Sequence, residues 1–87
     1  MIRSKYTDEF SNRPILRSKI VKIKLSPPSP RNRNLWILRF YGRDEHQNEK
    51  VLGSWFYTTD RKRKDDLYGI MKLIPKDNNL SVIGPTC

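Results

Sequence analysis

The spacing of the apolar residues changes near Asp60, and this change constrains the fold more than any other feature of the sequence. Upstream, apolar and polar side chains alternate along short segments, which is typical of β-strands with one buried face. Downstream, the apolar residues Leu67, Ile70, Met71 and Ile74 follow the spacing i, i+3, i+4 and i+7, which predicts the buried stripe of an α-helix. The expected fold class is therefore α+β, a small antiparallel sheet with one helix packed on one face.

Three predicted strands precede the helix and one short strand follows it. The segments are 15–25, 35–41 and 51–58 before the helix, and 80–83 after it. Polar residues 42–49 separate the second and third segments, which indicates an antiparallel hairpin. The predicted order is β-β-β-α-β, and the second face of the sheet is left for solvent or a ligand.

Prolines and short polar side chains predict where these elements end. The Pro-rich run at residues 26–30 ends the first strand, because proline cannot donate to a strand ladder. Thr59 or Asp60 is predicted to cap the start of the helix, and Pro75 to end it.

The size of the chain predicts one domain with a thin core, since it has 87 residues of which 36% are hydrophobic. Residues 1–13 are polar and mixed in charge, so they are predicted to form a flexible arm, with a single domain over 14–87. Tyr6 and Phe10 are four residues apart and could anchor a short helical turn against that domain.

Positive charge is the main functional signal in the composition. Lysine and arginine total 18 against 9 acidic residues, a formal net charge of +9. A compact body with this charge repels itself, and the repulsion falls when the protein binds a polyanion. Nucleic acid, either DNA or RNA, is the expected partner, and an acidic protein surface is the alternative. No apolar run is long enough to span a bilayer, so no membrane partner is expected.

The strongest local signal is a run of four cations where the helix is expected to begin: Arg61, Lys62, Arg63 and Lys64. Cations are unfavourable beside the positive end of the helix dipole, whereas the same place suits a phosphate group. The run is therefore predicted to contact phosphate. Two other interpretations stay open: a solvated face that Asp65 and Asp66 partly neutralise, and a nuclear-import signal.

A second signal is the mixture of cations and aromatic rings in the second and third strands. If Leu38, Phe40, Leu52 and Phe56 take the core with Trp36, the open face carries Arg39, Tyr41, Trp55 and Tyr57. Such a face could stack on unpaired bases while arginine meets phosphate. The alternative is that these rings belong to the core and its rim, because both faces of the third strand carry large aromatic residues.

The first strand adds Lys22 and Lys24 on one face, with Arg17 and Lys19 nearby. Solvated, charged strand faces are common, so these lysines gain functional meaning only beside the other two signals.

Catalytic and metal-binding patterns are not found in the sequence. His46 lies in a polar loop beside Asp44 and Glu45, with no nucleophile or second ligand at a useful spacing. The single cysteine, Cys87, cannot supply a cysteine zinc site and favours a reducing, intracellular compartment, cytoplasmic or nuclear. The expected protein is non-enzymatic and has no cofactor, no catalytic residue and no metal site.

The segment 35–74 resembles two families of nucleic-acid-binding proteins. Residues 36–40 (Trp-Ile-Leu-Arg-Phe), residues 50–59 and the following helix look like the three-strand-plus-helix DNA-binding domains of plant regulators and integrase arms. That resemblance implies a sheet inserted into the major groove. The same order is similar to transcriptional coactivators whose curved sheets hold single strands. The Gly-Ser-Trp-Phe-Tyr run at 53–57 also resembles the end of pleckstrin-homology-like modules, which bind proteins.

Taken together, the sequence predicts a nucleic-acid-binding regulatory or accessory protein. The predicted binding residues are Lys22, Lys24, Arg39, Tyr41, Trp55, Tyr57, Arg61, Lys62, Arg63 and Lys64. The alternative is a protein-interaction module, such as an inhibitor or subunit that docks on an acidic partner surface.

Overall fold

The structure is a computed structural model that describes residues 1–7, 10–26, 35–74 and 81–83. It confirms the α+β fold class. Its elements are β1 (Lys22–Ser26), β2 (Trp36–Arg43), β3 (Glu49–Tyr57), α1 (Asp60–Leu73) and the three-residue strand β4 (Ser81–Ile83), with a short 3-10 helix at Arg17–Lys19.

The sheet has the strand order β3-β2-β1-β4. β2 is antiparallel to both β1 and β3, as the sequence predicts, whereas β4 runs parallel to β1. The reason is topological: a helical crossover returns the chain in the direction of β3, and β3 points the same way as β1. The antiparallel part of the sheet is therefore confined to β1, β2 and β3.

Strand register divides the side chains between two faces. On the helix-side face, β1 and β2 pair Ile23 with Phe40 and Leu25 with Leu38, and Trp55 of β3 lies opposite Leu38. The opposite face, here called the open face, pairs Lys22 with Tyr41 and Lys24 with Arg39. The division between core and solvent in β1 and β2 is therefore as predicted.

The helix buries a stripe that is rotated slightly from the predicted one. Leu67, Ile70 and Ile74 are buried, but Met71 is 46% exposed. The buried stripe instead includes Arg63 and Asp66. Arg63 lies near the centre of that stripe. With 3.6 residues per turn, Met71 lies about 80° around the helix from Arg63. The prediction for Met71 is therefore wrong, because the burial of Arg63 and Asp66 rotates the buried stripe away from Met71.

The predicted helix limits agree closely with the structure. Thr59 is the N-cap, and its side chain accepts a hydrogen bond from the Lys62 backbone N–H at 3.2 Å. The helix ends at Leu73, two residues before Pro75. The hairpin turn is shorter than predicted, because β3 already begins at Glu49.

The first strand begins later than predicted, since residues 15–21 are not part of it. Ile15 forms an isolated bridge with Ile2, and the 3-10 helix follows before β1 begins. That helix lies close against β2: a Cβ atom at Gly42 would stand 2.7 Å from the Lys19 carbonyl oxygen. Glycine at position 42 makes this approach possible.

The N-terminal segment packs against the domain, in contrast to the predicted flexible arm. Ile2 is 2% exposed and Asn12 is 4% exposed. The Tyr6 ring lies 6.1 Å from the Tyr57 ring. A few well-placed anchors hold the described part of this segment, although its average composition is polar.

The predicted helical turn between Tyr6 and Phe10 includes residues 8 and 9, which lie outside the described residues, but its two proposed anchors do not share one face. Phe10 lies 6.0 Å from Phe56, whereas Tyr6 contacts the core ring of Tyr57. Phe56 and Tyr57 are neighbours in a strand, so their side chains point to opposite faces of the sheet. Tyr6 and Phe10 therefore pack on different faces.

Candidate nucleic-acid interface

Two cations stand directly opposite each other at the centre of the open face. Lys24 of β1 pairs in register with Arg39 of β2, and both side chains are exposed. Among the residues that the structure describes, no carboxylate forms a salt bridge with either of them. Like charges placed directly across an antiparallel pair destabilise the sheet. An anion bound between them would remove that cost.

Lys22 and Tyr41 lie next to this pair, towards the β2–β3 turn. The Lys22 ammonium nitrogen lies 4.7 Å from the centre of the Tyr41 ring and 2.5 Å from the Glu49 carboxylate. Glu49 is the only acidic residue within β1, β2 and β3. The charge of Lys22 is thus partly neutralised, and its ammonium group covers a face of the tyrosine ring.

The other end of the open face is apolar. Ile37 is buried there, and Phe56 of β3 is half-buried beneath the Phe10 ring. Because Phe10 already packs on Phe56, this ring is not a free stacking surface. The N-terminal segment therefore limits the exposed cationic area to the part of the sheet between Lys24 and the β2–β3 turn.

Trp55 and Tyr57 are not on the open face, and their predicted role as base-stacking residues is wrong. Each is only 1% exposed. The Trp55 indole N–H donates to the Arg13 carbonyl oxygen at 2.7 Å, and the Tyr57 hydroxyl donates to Asp66 at 2.7 Å. Both polar atoms have hydrogen-bond partners, so these rings can be buried while Phe56 takes the other face.

Tyr57 and its partner belong to a buried polar network. Asp66 also accepts a hydrogen bond from the Ser4 hydroxyl at 2.5 Å and one from the Lys5 backbone N–H at 3.0 Å. Burial and the hydrogen bond to Asp66 raise the pKa of the Tyr57 phenol far above its usual value. The network ties the N-terminal segment, the sheet and the helix together.

Arg63 is buried, which contradicts its predicted contact with phosphate. It is 1% exposed, and its guanidinium donates to the carbonyl oxygens of Ser26 and Ile37. It also bonds Asp60 at 2.7 Å and lies over the Trp36 ring. Five N–H donors in a planar fork can satisfy several carbonyl and carboxylate oxygens at once, so this arginine holds the end of β1, the start of β2 and the helix together.

The other three cations of the run form the helix-start cluster: Arg61, Lys62 and Lys64. Lys64 pairs with Asp60 at 3.1 Å. Partial burial on its own would raise the pKa of Asp60, but hydrogen bonds from Lys64 and Arg63 outweigh it, so the pKa is lowered. Lys62 donates to the Thr58 hydroxyl at 3.4 Å.

Asp65 adds further negative charge beside this cluster. Its carboxylate accepts a hydrogen bond from the Tyr6 hydroxyl at 2.6 Å, which lowers the pKa of Asp65 and raises that of Tyr6. Lys5 lies 3.6 Å from the same carboxylate. The helix-start cluster is therefore interleaved with the carboxylates of Asp60 and Asp65, whereas Asp66, which the sequence also assigned to neutralise the run, is buried and bound to Tyr57.

The structure does not bring all the predicted residues together. Lys22, Lys24, Arg39 and Tyr41 form one group on the open face, here called the open-face cluster. The helix packs on the opposite face of the sheet through Leu67 and Ile70, so the helix-start cluster lies on the other side. The ten predicted residues are thus divided into two clusters on opposite sides of the sheet and three buried side chains: Trp55, Tyr57 and Arg63.

Comparisons with known proteins add no constraint. No family model matches the chain, and searches of curated proteins and of solved structures give no match. Within the described residues, the helix is too short and too polar to cross a membrane. The function is therefore inferred from the surface itself.

Proposed function

We propose that the protein is a non-enzymatic, nucleic-acid-binding regulatory or accessory protein, and that its open-face cluster holds the phosphate backbone. The observation that carries the proposal is the Lys24–Arg39 pair. Two exposed cations face each other across the sheet without a carboxylate partner among the described residues. Sheet stability alone does not favour that arrangement, whereas phosphate binding does.

The proposed contact is with phosphate rather than with bases. Tyr41 lies beneath the Lys22 ammonium, and Phe56 lies beneath Phe10. Rings that are already covered cannot offer an open face to a base. Phosphate contacts position a protein but carry no sequence information, so binding should tolerate many sequences.

The strength of binding should depend on salt in a way that reflects a small cluster. Each neutralised phosphate releases counterions, and the slope of log K against log salt is roughly −0.9 per contact on duplex DNA. Lys24 and Arg39 together predict a slope of about −2, and engagement of Lys22 would bring it to about −3. The helix-start cluster lies on the opposite side of the sheet and is not expected to add to it.

A titration tests this proposal. The protein is added to fluorescent single- and double-stranded oligonucleotides of mixed sequence at several salt concentrations, and anisotropy is recorded. We expect binding that weakens with salt at the slope given above. Weak binding that does not change with salt would exclude the proposal, and a slope steeper than about −5 would mean that many more cations take part.

A second candidate function is protein interaction through the outer side of the helix. Tyr68, Met71 and Leu73 are 59%, 46% and 55% exposed. Tyr68 also lines a shallow hollow of about 470 Å³ with Arg61 and Lys64. Exposed aromatic and methionine side chains are enriched at interfaces. A partner retained after nuclease treatment, and lost in the Tyr68→Ser variant, would favour this function over nucleic-acid binding.

A further inference from the structure

The outer edge of β3 is only partly protected. β3 is the last strand of the sheet, so one of its sides has no neighbouring strand among the described residues. An edge strand presents backbone N–H and C=O groups to which another extended chain can bind. Those groups are available only at residues of β3 whose backbone N–H and C=O point away from β2.

The hydrogen bonds of Asn12 show that Phe56 is one residue of this kind. Its side-chain amide donates to the Phe56 carbonyl oxygen at 3.1 Å, and its side-chain oxygen accepts from the Phe56 N–H at 3.0 Å. The backbone groups of Phe56 therefore point away from β2, and one amide side chain takes the place of a missing strand. In an antiparallel ladder this direction alternates along the strand, so the N–H and C=O of Ser54 also point outward.

Ser54 lacks the protection that Phe56 has. Among the described residues, no hydrogen bond from another segment reaches its backbone N–H or C=O. Beside it lies a hollow of about 230 Å³ between the 11–15 segment and β3. That segment crosses the edge at Asn12, and its next residues include Pro14, which has no backbone N–H to offer. The edge is thus closed at Phe56 and open at Ser54, and a β-bulge opposite Phe40 and Tyr41 interrupts the alternation at Leu52.

We propose that this open edge of β3 binds a short, extended, acidic peptide of a partner protein by strand addition. The lining of the hollow contains a single charged side chain, the exposed Arg13, and Lys50 is exposed further along the same strand. Glu49, the acidic residue at the start of β3, is paired with Lys22 on the open face. A cationic edge on a protein of net charge +9 favours acidic side chains on the added strand.

Charge also distinguishes the peptide from a second copy of this chain. Two molecules that each carry +9 repel each other, so edge-to-edge pairing of copies is disfavoured. The length of the peptide is limited as well, because Asn12 occupies the edge at Phe56. The added strand should therefore pair with the backbone of Ser54 and stop before Phe56.

The test uses an acetylated and amidated peptide of three Glu-Val repeats, with the Lys-Val peptide of equal length as its charge control. Amide chemical shifts and hydrogen exchange of the isotope-labelled full chain are measured by NMR. We expect the acidic peptide to shift Leu52, Gly53 and Ser54 and to slow exchange of the Ser54 N–H, because that group becomes hydrogen-bonded. The lysine peptide should produce much smaller changes.

A backbone control separates strand addition from simple charge attraction. An acidic peptide that is N-methylated at alternate residues keeps its charge but loses the N–H groups that pair with β3. Its affinity should fall by about tenfold or more, as expected for the loss of two hydrogen bonds. Equal binding of the methylated and unmethylated peptides would overturn the proposal.

Two substitutions locate the site on the protein. Ser54→Pro removes the outward N–H while leaving the bonds between β3 and β2 in place, and Ser54→Ala retains it. The proline variant should lose peptide binding and the alanine variant should keep it. Should Ser54→Pro fail to fold, the methylated peptide still decides the matter. Shifts confined to Lys24 and Arg39 would also overturn strand addition, while leaving nucleic-acid binding at the open face untouched.

Discussion

The helix-start cations and the open-face cluster are both rich in lysine or arginine, but they differ in the hydrogen-bond and ion-pair partners of each cation. At the helix start, Arg63 is enclosed by two carbonyl oxygens and Asp60, and Lys64 pairs with the same carboxylate. On the open face, Lys24 and Arg39 face each other across the ladder, and among the described residues no carboxylate is paired with either of them. The comparison teaches that the number of cations in a run does not predict how many are available to a ligand.

The largest expected effect is that of replacing Arg63. In Arg63→Ala the carbonyl oxygens of Ser26 and Ile37 lose their donor, so the free energy of unfolding should fall by about 3 kcal/mol. Arg63→Lys should recover little of this loss, since an ammonium group lacks the planar fork. Urea denaturation followed by circular dichroism measures both. A loss below about 0.5 kcal/mol would mean that Arg63 behaves as a surface cation, and the contrast between the regions would disappear.

Acid should destabilise the helix start. The pKa values of Asp60 and Asp65 are lowered in the folded protein, so their contribution to stability is present above about pH 4 and is lost as the pH falls through the folded values. Solvent screens exposed pairs of this kind, so the contribution of each to stability is small. Thermal denaturation between pH 6 and pH 2 would show the loss, and Asp60→Asn should flatten part of it. An unchanged pH profile in that variant would contradict the assigned pairing.

The smallest expected change in stability has the opposite sign. Lys24→Glu replaces a repulsive cross-strand pair with an attractive one, so the free energy of unfolding should rise by about 0.5 kcal/mol. The same variant should bind oligonucleotides more weakly. Lys24→Gln serves as the neutral control. If Lys24→Glu destabilised the protein, the conclusion that repulsion between Lys24 and Arg39 destabilises the sheet would be wrong.

Much of the fold could be predicted from the sequence, because alternation and helical spacing report directly on burial. β1 and β2 are correctly divided between core and solvent, and Thr59 caps the helix as expected. β3 was ambiguous for a physical reason: Trp55, Phe56 and Tyr57 are consecutive, so alternation alone cannot decide which face is buried. Only the polar partners of Trp55 and Tyr57 decide it, and those partners are distant in sequence.

The candidate site was harder to predict than the fold. A charged residue in a buried stripe, such as Arg63, has the same local appearance as an exposed cation. The anchors of the N-terminal segment, Ile2 and Asn12, are single residues in a polar context. One signal of the burial of Arg63 was present in the sequence. Arg63 lies four residues before Leu67 and seven before Ile70, so all three share the same stripe of the helix.

The most direct test compares two double variants that carry the same change in charge. Lys24→Ala with Arg39→Ala removes the pair on the open face, and Arg61→Ala with Lys64→Ala removes two exposed cations of the helix start. Binding to one mixed-sequence oligonucleotide is measured by anisotropy at low salt, with circular dichroism as the control for folding. The open-face variant should bind about tenfold more weakly or worse, and the helix-start variant should stay within about twofold of the unaltered protein. Equal losses in both variants, or a larger loss from the helix start, would contradict the assignment of the nucleic-acid interface to the open face.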